Sequence, residues 1–180
     1  QIGYLLDSYK GKTEKDSFLN YSLFVGFFPQ LIAGPIVTYR EMFPQFKKSS
    51  FGIFKNTNLM VGLTIFFIGL FKKTVIADNL SLFASPVFIA AEAGQEIDFL
   101  LAWQGAFAYT FQLYFDFSGY SDMAIGLARM FGIKLPMNFY SPLKSTSIID
   151  FWRRWHATLG RFIATDIFIP LSTKYTRIAI

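Results

Sequence analysis

Charged side chains are absent from residues 17–39, 56–71, 86–91 and 99–115 and clustered between them. A bilayer core about 30 Å thick takes roughly 20 mainly apolar residues to cross as a helix, and the first and last stretches are long enough, or nearly so. Residues 99–117 read as the clearest spanning helix. Residues 17–33 are aromatic-rich and end at Gly34-Pro35, a pair that stops or kinks a helix. Such a break at membrane depth must be buried in protein or line a cavity. Residues 58–71 run apolar into Lys72-Lys73 and on to Asp78, so a helix carried through them needs its lysines to snorkel to an interface. Residues 80–91, short and holding Pro86, read as a re-entrant or tilted half-helix. The pattern predicts an all-α, polytopic transmembrane protein with re-entrant, broken and interfacial helices.

Between the apolar stretches the polar positions set the turns. Residues 1–16 are polar, broken at Gly11, and read as a loop after a helix ending near Tyr9. Residues 40–55, with Pro44 and Lys47-Lys48-Ser49-Ser50, suit a surface loop or interfacial helix on the cytoplasmic side. Residues 93–98 form an acidic turn through Gly94, placed on the opposite face. Gly132 and Pro136 end the element that begins at residue 99, and a Pro-containing loop covers 138–144. The next helix has a marked start, because Ser147-Ile148-Ile149-Asp150 matches a capping box. If it is continuous, Phe151, Trp155, Leu159 and Phe162 share one apolar stripe, Trp152, His156 and Ile163 a neighbouring one, and Asp150, Arg154 and Arg161 a polar face.

Composition sharpens the membrane reading. Of 180 residues 53% are hydrophobic and only 16% charged, and the mean hydropathy is +0.37, beyond the range usual for a soluble domain. The net charge of +5 would suit nucleic acid in isolation, but the lysines lie beside apolar segments, so lipid headgroups or topology signals account for them and no nucleic-acid partner is expected. With no cysteine and one histidine, a disulfide, a thiolate site, a cysteine nucleophile and a zinc site are not expected. The chain opens on Gln1 and stops after an apolar run, which reads as one partial membrane domain over residues 1–180, incomplete at both ends.

Candidate chemistry concentrates in Asp150-Phe151-Trp152-Arg153-Arg154-Trp155-His156. Transfer of an acyl group to a hydroxyl requires removal of its proton, and a neutral imidazole suits that task near pH 7. Arg153 and Arg154 would depress the imidazole's pKa and could hold a donor phosphate or an acidic polymer. Spacing alone leaves a second reading open, with His156 bound to backbone at the interface, Trp152 and Trp155 in an aromatic belt and the arginines on headgroups. Asp116 and Tyr120, and likewise Ser118 and Asp122, are four apart and share helix faces at membrane depth, where ionisable groups are functional candidates or helix-end partners.

These residues resemble the bacterial membrane-bound O-acyltransferases, in the branch holding the alginate O-acetyltransferases and the teichoic-acid D-alanyl transferase. The landmarks are Phe28-Pro29-Gln30-Leu31-Ile32-Ala33-Gly34-Pro35-Ile36, Asp116-Phe117-Ser118-Gly119-Tyr120-Ser121-Asp122 with Ala124-Ile125-Gly126, Asn138-Phe139 with Pro142, and Phe151-Trp152-Arg153-Arg154-Trp155-His156 with Leu159 and Ile169-Pro170-Leu171. The resemblance implies helices around a membrane tunnel in the bacterial inner membrane. It also implies an acyl group, usually acetyl, carried from acetyl-CoA or a carrier thioester as co-substrate, with no bound cofactor, to a hydroxyl of an envelope polysaccharide such as alginate. His156 corresponds to the first of two hallmark histidines; the second, usually regarded as the base, belongs to a later Trp-His segment beyond Ile180. Trp152, Arg153, Arg154, Asp116, Ser118, Tyr120, Asp122 and Asn138 are then candidates for holding substrate or donor, with membrane lipids, the polysaccharide and other envelope acetylation proteins as partners.

Two positions depart from the family pattern. Ala164-Thr165-Asp166 stands where Arg-Asp-Tyr is common, and Ser172-Thr173 where a glycine pair often follows Pro-Leu. The competing class is a membrane transporter or export subunit for polysaccharide or acyl groups, in which Asp116 and Asp122 would mark a translocation path. A purely structural membrane scaffold is a third, and it would tolerate any residue of similar bulk at His156.

Overall fold

The computed structural model describes residues 2–9, 11, 18–31, 34–49 and 51–172. Every regular element among them is helical: α1 (Ile2–Tyr9), α2 (Phe18–Gly26), α3 (Tyr39–Phe46), α4 (Asn56–Phe71), α5 (Asp78–Glu92), α6 (Phe99–Met130), α7 (Ile148–Arg154) and α8 (Ala157–Phe162). Lys10, Lys12, Lys15, Ile32, Ala33, Ser50 and Thr173, which entered the sequence reading, lie outside the described residues.

The centre of the molecule is an antiparallel helix pair. A wide π-helical segment, Lys72–Ala77, joins α4 to α5 without a break, giving one helix from Asn56 to Glu92 of 37 residues, about 55 Å long. The expectation of a separate re-entrant element at 80–91 is therefore overturned: Pro86 lies inside a helix that continues through it. Gly94, at φ +70°, turns the chain, and the Asp98 carboxylate accepts the Leu101 N–H at 2.7 Å to start α6. Among the described residues, Asn56–Glu92 is the one helix both long and apolar enough to cross a membrane. Only 11% of its most apolar window is buried, so Met60, Phe67, Phe71, Leu82 and Ile89 face outward. α2 is 9 residues long, about 13 Å, and cannot cross alone. It ends at Gly26, well before Gly34, and a 3-10 turn over Phe28–Gln30 follows.

Glycine sets the spacing of this pair. A Cβ at Gly69 would lie 2.5 Å from the Gly119 carbonyl oxygen, and one at Gly119 would lie 2.7 Å from that of Gly69. Seven residues away on each helix the arrangement repeats, with Gly62 2.7 Å from the Gly126 oxygen and Gly126 2.6 Å from the Gly62 oxygen. Small residues let backbones approach to this distance, which is how helices associate where water supplies no driving force between them. Further along α6, Gly105 admits the Val87 side chain of α5, at 2.7 Å from the position its own Cβ would take.

The close approach decides the fate of the lysines. Lys72 pairs with Asp122 at 2.6 Å, and Lys73 pairs with Asp116 at 2.9 Å and with Asp78. α6 brings carboxylates to these side chains. A charge at membrane depth is tolerated when it has such a partner.

α2, α3 and the C-terminal end of α6 close a core of Phe24, Phe27, Tyr39, Met42, Phe43, Phe46, Ala128, Ile133 and Leu135. Residues 40–55 are thus more than a surface element, because α3 buries one face. A full capping box starts α3, with Thr38 and Glu41 as its members. Gly34 allows the chain to fold back on the 3-10 turn: a Cβ there would lie 2.7 Å from both the Pro29 oxygen and the Gln30 Cα.

Alanine at Gly69 or Gly126 has the better helix propensity by about 1 kcal/mol, yet its methyl would meet backbone under 3.0 Å away on the facing helix. We expect either substitution in the full-length protein to destabilise it by about 1–3 kcal/mol in reversible detergent unfolding. Gly26→Ala, with nothing within 4 Å of its Cβ, serves as the near-neutral control. Equal stability of all three would contradict the packing described.

Candidate functional site

His156 lies at a break between two helices, and the stripes drawn from Phe151 to Ile163 do not form on one continuous helix. The Ser147 hydroxyl caps α7 by accepting the Asp150 N–H at 3.1 Å, as expected of that serine. The Asp150 carboxylate turns instead to Arg154, at 2.9 Å. α7 stops at Arg154, Trp155 is extended, and His156 adopts the left-handed region at φ 45° and ψ 50° before α8 begins. A non-glycine residue pays of order 1–2 kcal/mol for that conformation, so the surroundings must impose it.

What imposes it is a loop. The Tyr140 N–H donates to the Arg154 carbonyl at 3.0 Å on one side of His156, and the Ala157 N–H donates to the Asn138 carbonyl at 2.8 Å on the other. Below them a buried polar chain runs across four segments. The Asn138 amide donates to Ser121 Oγ of α6 at 3.0 Å, the Thr158 hydroxyl donates to Asn138 Oδ1 at 2.6 Å, and the Ile36 N–H donates to Thr158 Oγ1 at 2.9 Å. Arg161 fastens α8 to α3 through Glu41, at 2.7 Å.

The imidazole and the Phe117 ring form a T-shaped pair, 4.7 Å between ring centres. Phe117 packs on Phe139 at 5.1 Å, and Phe139 on Trp155 at 5.1 Å, so one aromatic row backs the site. His156 is half-buried, and burial pushes its pKa below the usual 6.5. The direction matches the sequence expectation but the cause does not: Arg154 is occupied by Asp150, whose carboxyl it holds below the usual range, and desolvation lowers the histidine. The imidazole nitrogens have no hydrogen bond among the described residues.

The other candidates divide into separate places. Asp116, Phe117 and Tyr120 line an open, largely apolar cleft of about 630 Å³ with Phe28, Pro29, Gly34 and Phe66. His156 does not line it but touches its wall through Phe117. Trp152 and Arg153 line a second cleft, of about 490 Å³, with Ile149, Ala157, Gly160 and Arg161. Asp122 is in its pair with Lys72. Ser118 is 2% exposed and its hydroxyl has no hydrogen-bond partner among the described residues. Asn138 is 1% exposed, with both ends of its amide engaged. Thr158, Ser121 and Phe117 are not singled out by sequence reasoning as parts of the histidine's surroundings; the signals are the position of Thr158 two residues beyond it and the place of Phe117 and Ser121 within the Asp116–Asp122 landmark.

The chain is similar to known proteins over most of its length. Over 154 residues the chain is 56% identical to the peptidoglycan O-acetyltransferase of Helicobacter pylori, covering 86% of this chain and 29% of that protein. It is 43% identical over 171 residues to a protein of Pseudomonas syringae named "Probable alginate O-acetylase AlgI", covering 94% and 32%. It is 32% identical over 146 residues to the teichoic acid D-alanyltransferase of Bacillus subtilis, covering 81% and 36%. The chain thus spans about a third of the length of these relatives. The family profile for membrane-bound O-acyltransferases matches residues 4–178, so nearly every element described above falls within it, and the chain belongs to the membrane-bound O-acyltransferase family.

Proposed function

We propose that the full-length protein is a multi-pass enzyme of the bacterial inner membrane that moves an acyl group, in the first place acetyl, from a thioester to a hydroxyl of an envelope polysaccharide. The observation that carries the reading is His156. It is a half-buried imidazole whose nitrogens have no hydrogen bond among the described residues, held in a costly backbone conformation in a chain of this family. Strained residues fixed by their surroundings are concentrated at functional sites.

In this reading the acceptor hydroxyl gives up its proton as its oxygen attacks the thioester carbonyl, the C–O bond forms, the C–S bond breaks, and the thiol leaves with a proton. A neutral His156 orients the hydroxyl by accepting its hydrogen bond, while proton removal falls to the second histidine that the family resemblance implies. Burial favours the neutral form, which is the form able to accept. Arg153, beside Trp152 in the second cleft, suits a donor phosphate or an anionic sugar. Acetyl-CoA or a carrier thioester is the co-substrate. Relatives named for peptidoglycan and alginate make those the first acceptors to test, with other envelope acetylation proteins as partners.

The decisive variants are His156→Asn and His156→Ala in the purified full-length protein, assayed with acetyl-CoA and polysaccharide. Asparagine tolerates the left-handed region, so His156→Asn should keep wild-type stability while turnover falls about a hundredfold or more. Unchanged turnover would remove His156 from the chemistry. Movement of acyl groups or polymer across vesicles without covalent transfer would instead favour a transporter.

A second outcome concerns protonation. Because burial lowers the folded-state value, the His156 imidazole should titrate below the usual 6.5 by carbon-13 NMR of labelled protein, with its signal assigned from His156→Asn. The unfolded chain then binds more protons between the two values, so stability should rise with pH through that window. A midpoint at or above 6.5 would contradict the buried placement.

A further inference from the structure

We propose that Asn138 is a positioning residue for acyl transfer, holding the backbone on the far side of His156 so that the imidazole stays turned against Phe117; the inference rests on the acyl-transfer reading. A role in contacting substrate is disfavoured by what its atoms already do. The side chain is 1% exposed. Its oxygen accepts from the Thr158 hydroxyl at 2.6 Å, its nitrogen donates to Ser121 at 3.0 Å, and its carbonyl accepts from the Ala157 N–H at 2.8 Å. Two of these three bonds fall on the residues immediately after His156.

Asparagine is suited to this place chemically. The bond to Thr158 needs an acceptor and the bond to Ser121 is made by a donor, and a planar amide offers both at fixed separation. Alanine offers neither, and aspartate replaces the donor with a buried charge. Thr158 extends the chain by accepting the Ile36 N–H at 2.9 Å, which ties the bend to the segment after Pro35. Ser121 lies on α6 four residues beyond Phe117, so the network and the ring that meets the imidazole are set by one helix.

The test uses full-length Asn138→Ala, Thr158→Val, Thr158→Ser and Ser121→Ala, with steady-state kinetics in acetyl-CoA and polysaccharide and carbon-13 NMR titration of His156. Asn138→Ala and Thr158→Val should lower kcat roughly tenfold to a hundredfold while KM for both substrates stays within about twofold. Thr158→Ser, which keeps the hydroxyl, should restore turnover to near the wild-type rate. The His156 titration midpoint should move up towards 6.5 in the two damaging variants, because the released bend exposes the ring. A rise in KM with kcat preserved would place Asn138 on the substrate and overturn the proposal, as would wild-type kcat in both Asn138→Ala and Thr158→Val. Should Asn138→Ala fail to assemble, the contrast between Thr158→Val and Thr158→Ser decides, and equal kcat in those two overturns it. A wild-type protein without transferase activity would contradict the function reading, while the titration would still report whether Asn138 sets the bend.

Discussion

The backbone contact between Gly62 and Gly69 on one helix and Gly126 and Gly119 on the other sets the distance at which α4 and α6 pack. At ordinary interhelical spacing, side chains would separate α4 from α6. At this spacing, Lys72 and Lys73 reach Asp122 and Asp116, so four charges are paired across two helices. The same contact fixes one side of α6, which leaves its other residues, Phe117 and Ser121, free to build the histidine's surroundings.

From α6 the organisation passes to a loop rather than to another long helix. Asn138 and Tyr140 hold the backbone on either side of His156, and the aromatic row of Phe117, Phe139 and Trp155 supplies the wall behind it. Desolvation by that wall favours the neutral imidazole, and the backbone clamp compensates a conformation that histidine would not choose. Rigidity and protonation thus come from different parts of the same small region.

Much of this was legible in the chain, and what was not has a physical cause. The all-helical class followed from long uncharged stretches, the turn at Gly94 and Asp98 from local chemistry, and the start of α7 from the Ser147 cap. These are interactions within a few residues. The break at His156 is not legible because the apolar spacing from Phe151 to Phe162 is compatible with one helix, and the bonds that break it come from residues 14 and 19 positions earlier in the chain. The lysine pairs were missed for the same reason at larger separation: register between Lys72 and Asp122 is set by glycines, whose role appears only once the two helices are side by side. Residues 80–91 looked too short to cross and too broken by Pro86, but packing of Val87 into Gly105 carries the helix on. The candidates named at Asp116, Tyr120, Trp152, Arg153 and Asn138 proved to occupy three different environments, a distinction that residue type and spacing do not encode.

A loop, and not helix continuity, sets His156. An electron cryomicroscopy structure of the full-length protein in lipid nanodiscs tests it most directly, through the backbone at residues 154–158. His156 should lie in the left-handed region, with the Asn138 carbonyl within hydrogen-bond distance of the Ala157 N–H and the imidazole perpendicular to the Phe117 ring. A continuous helix from Ile148 through Phe162, with Asn138 facing a water-filled tunnel, would contradict it.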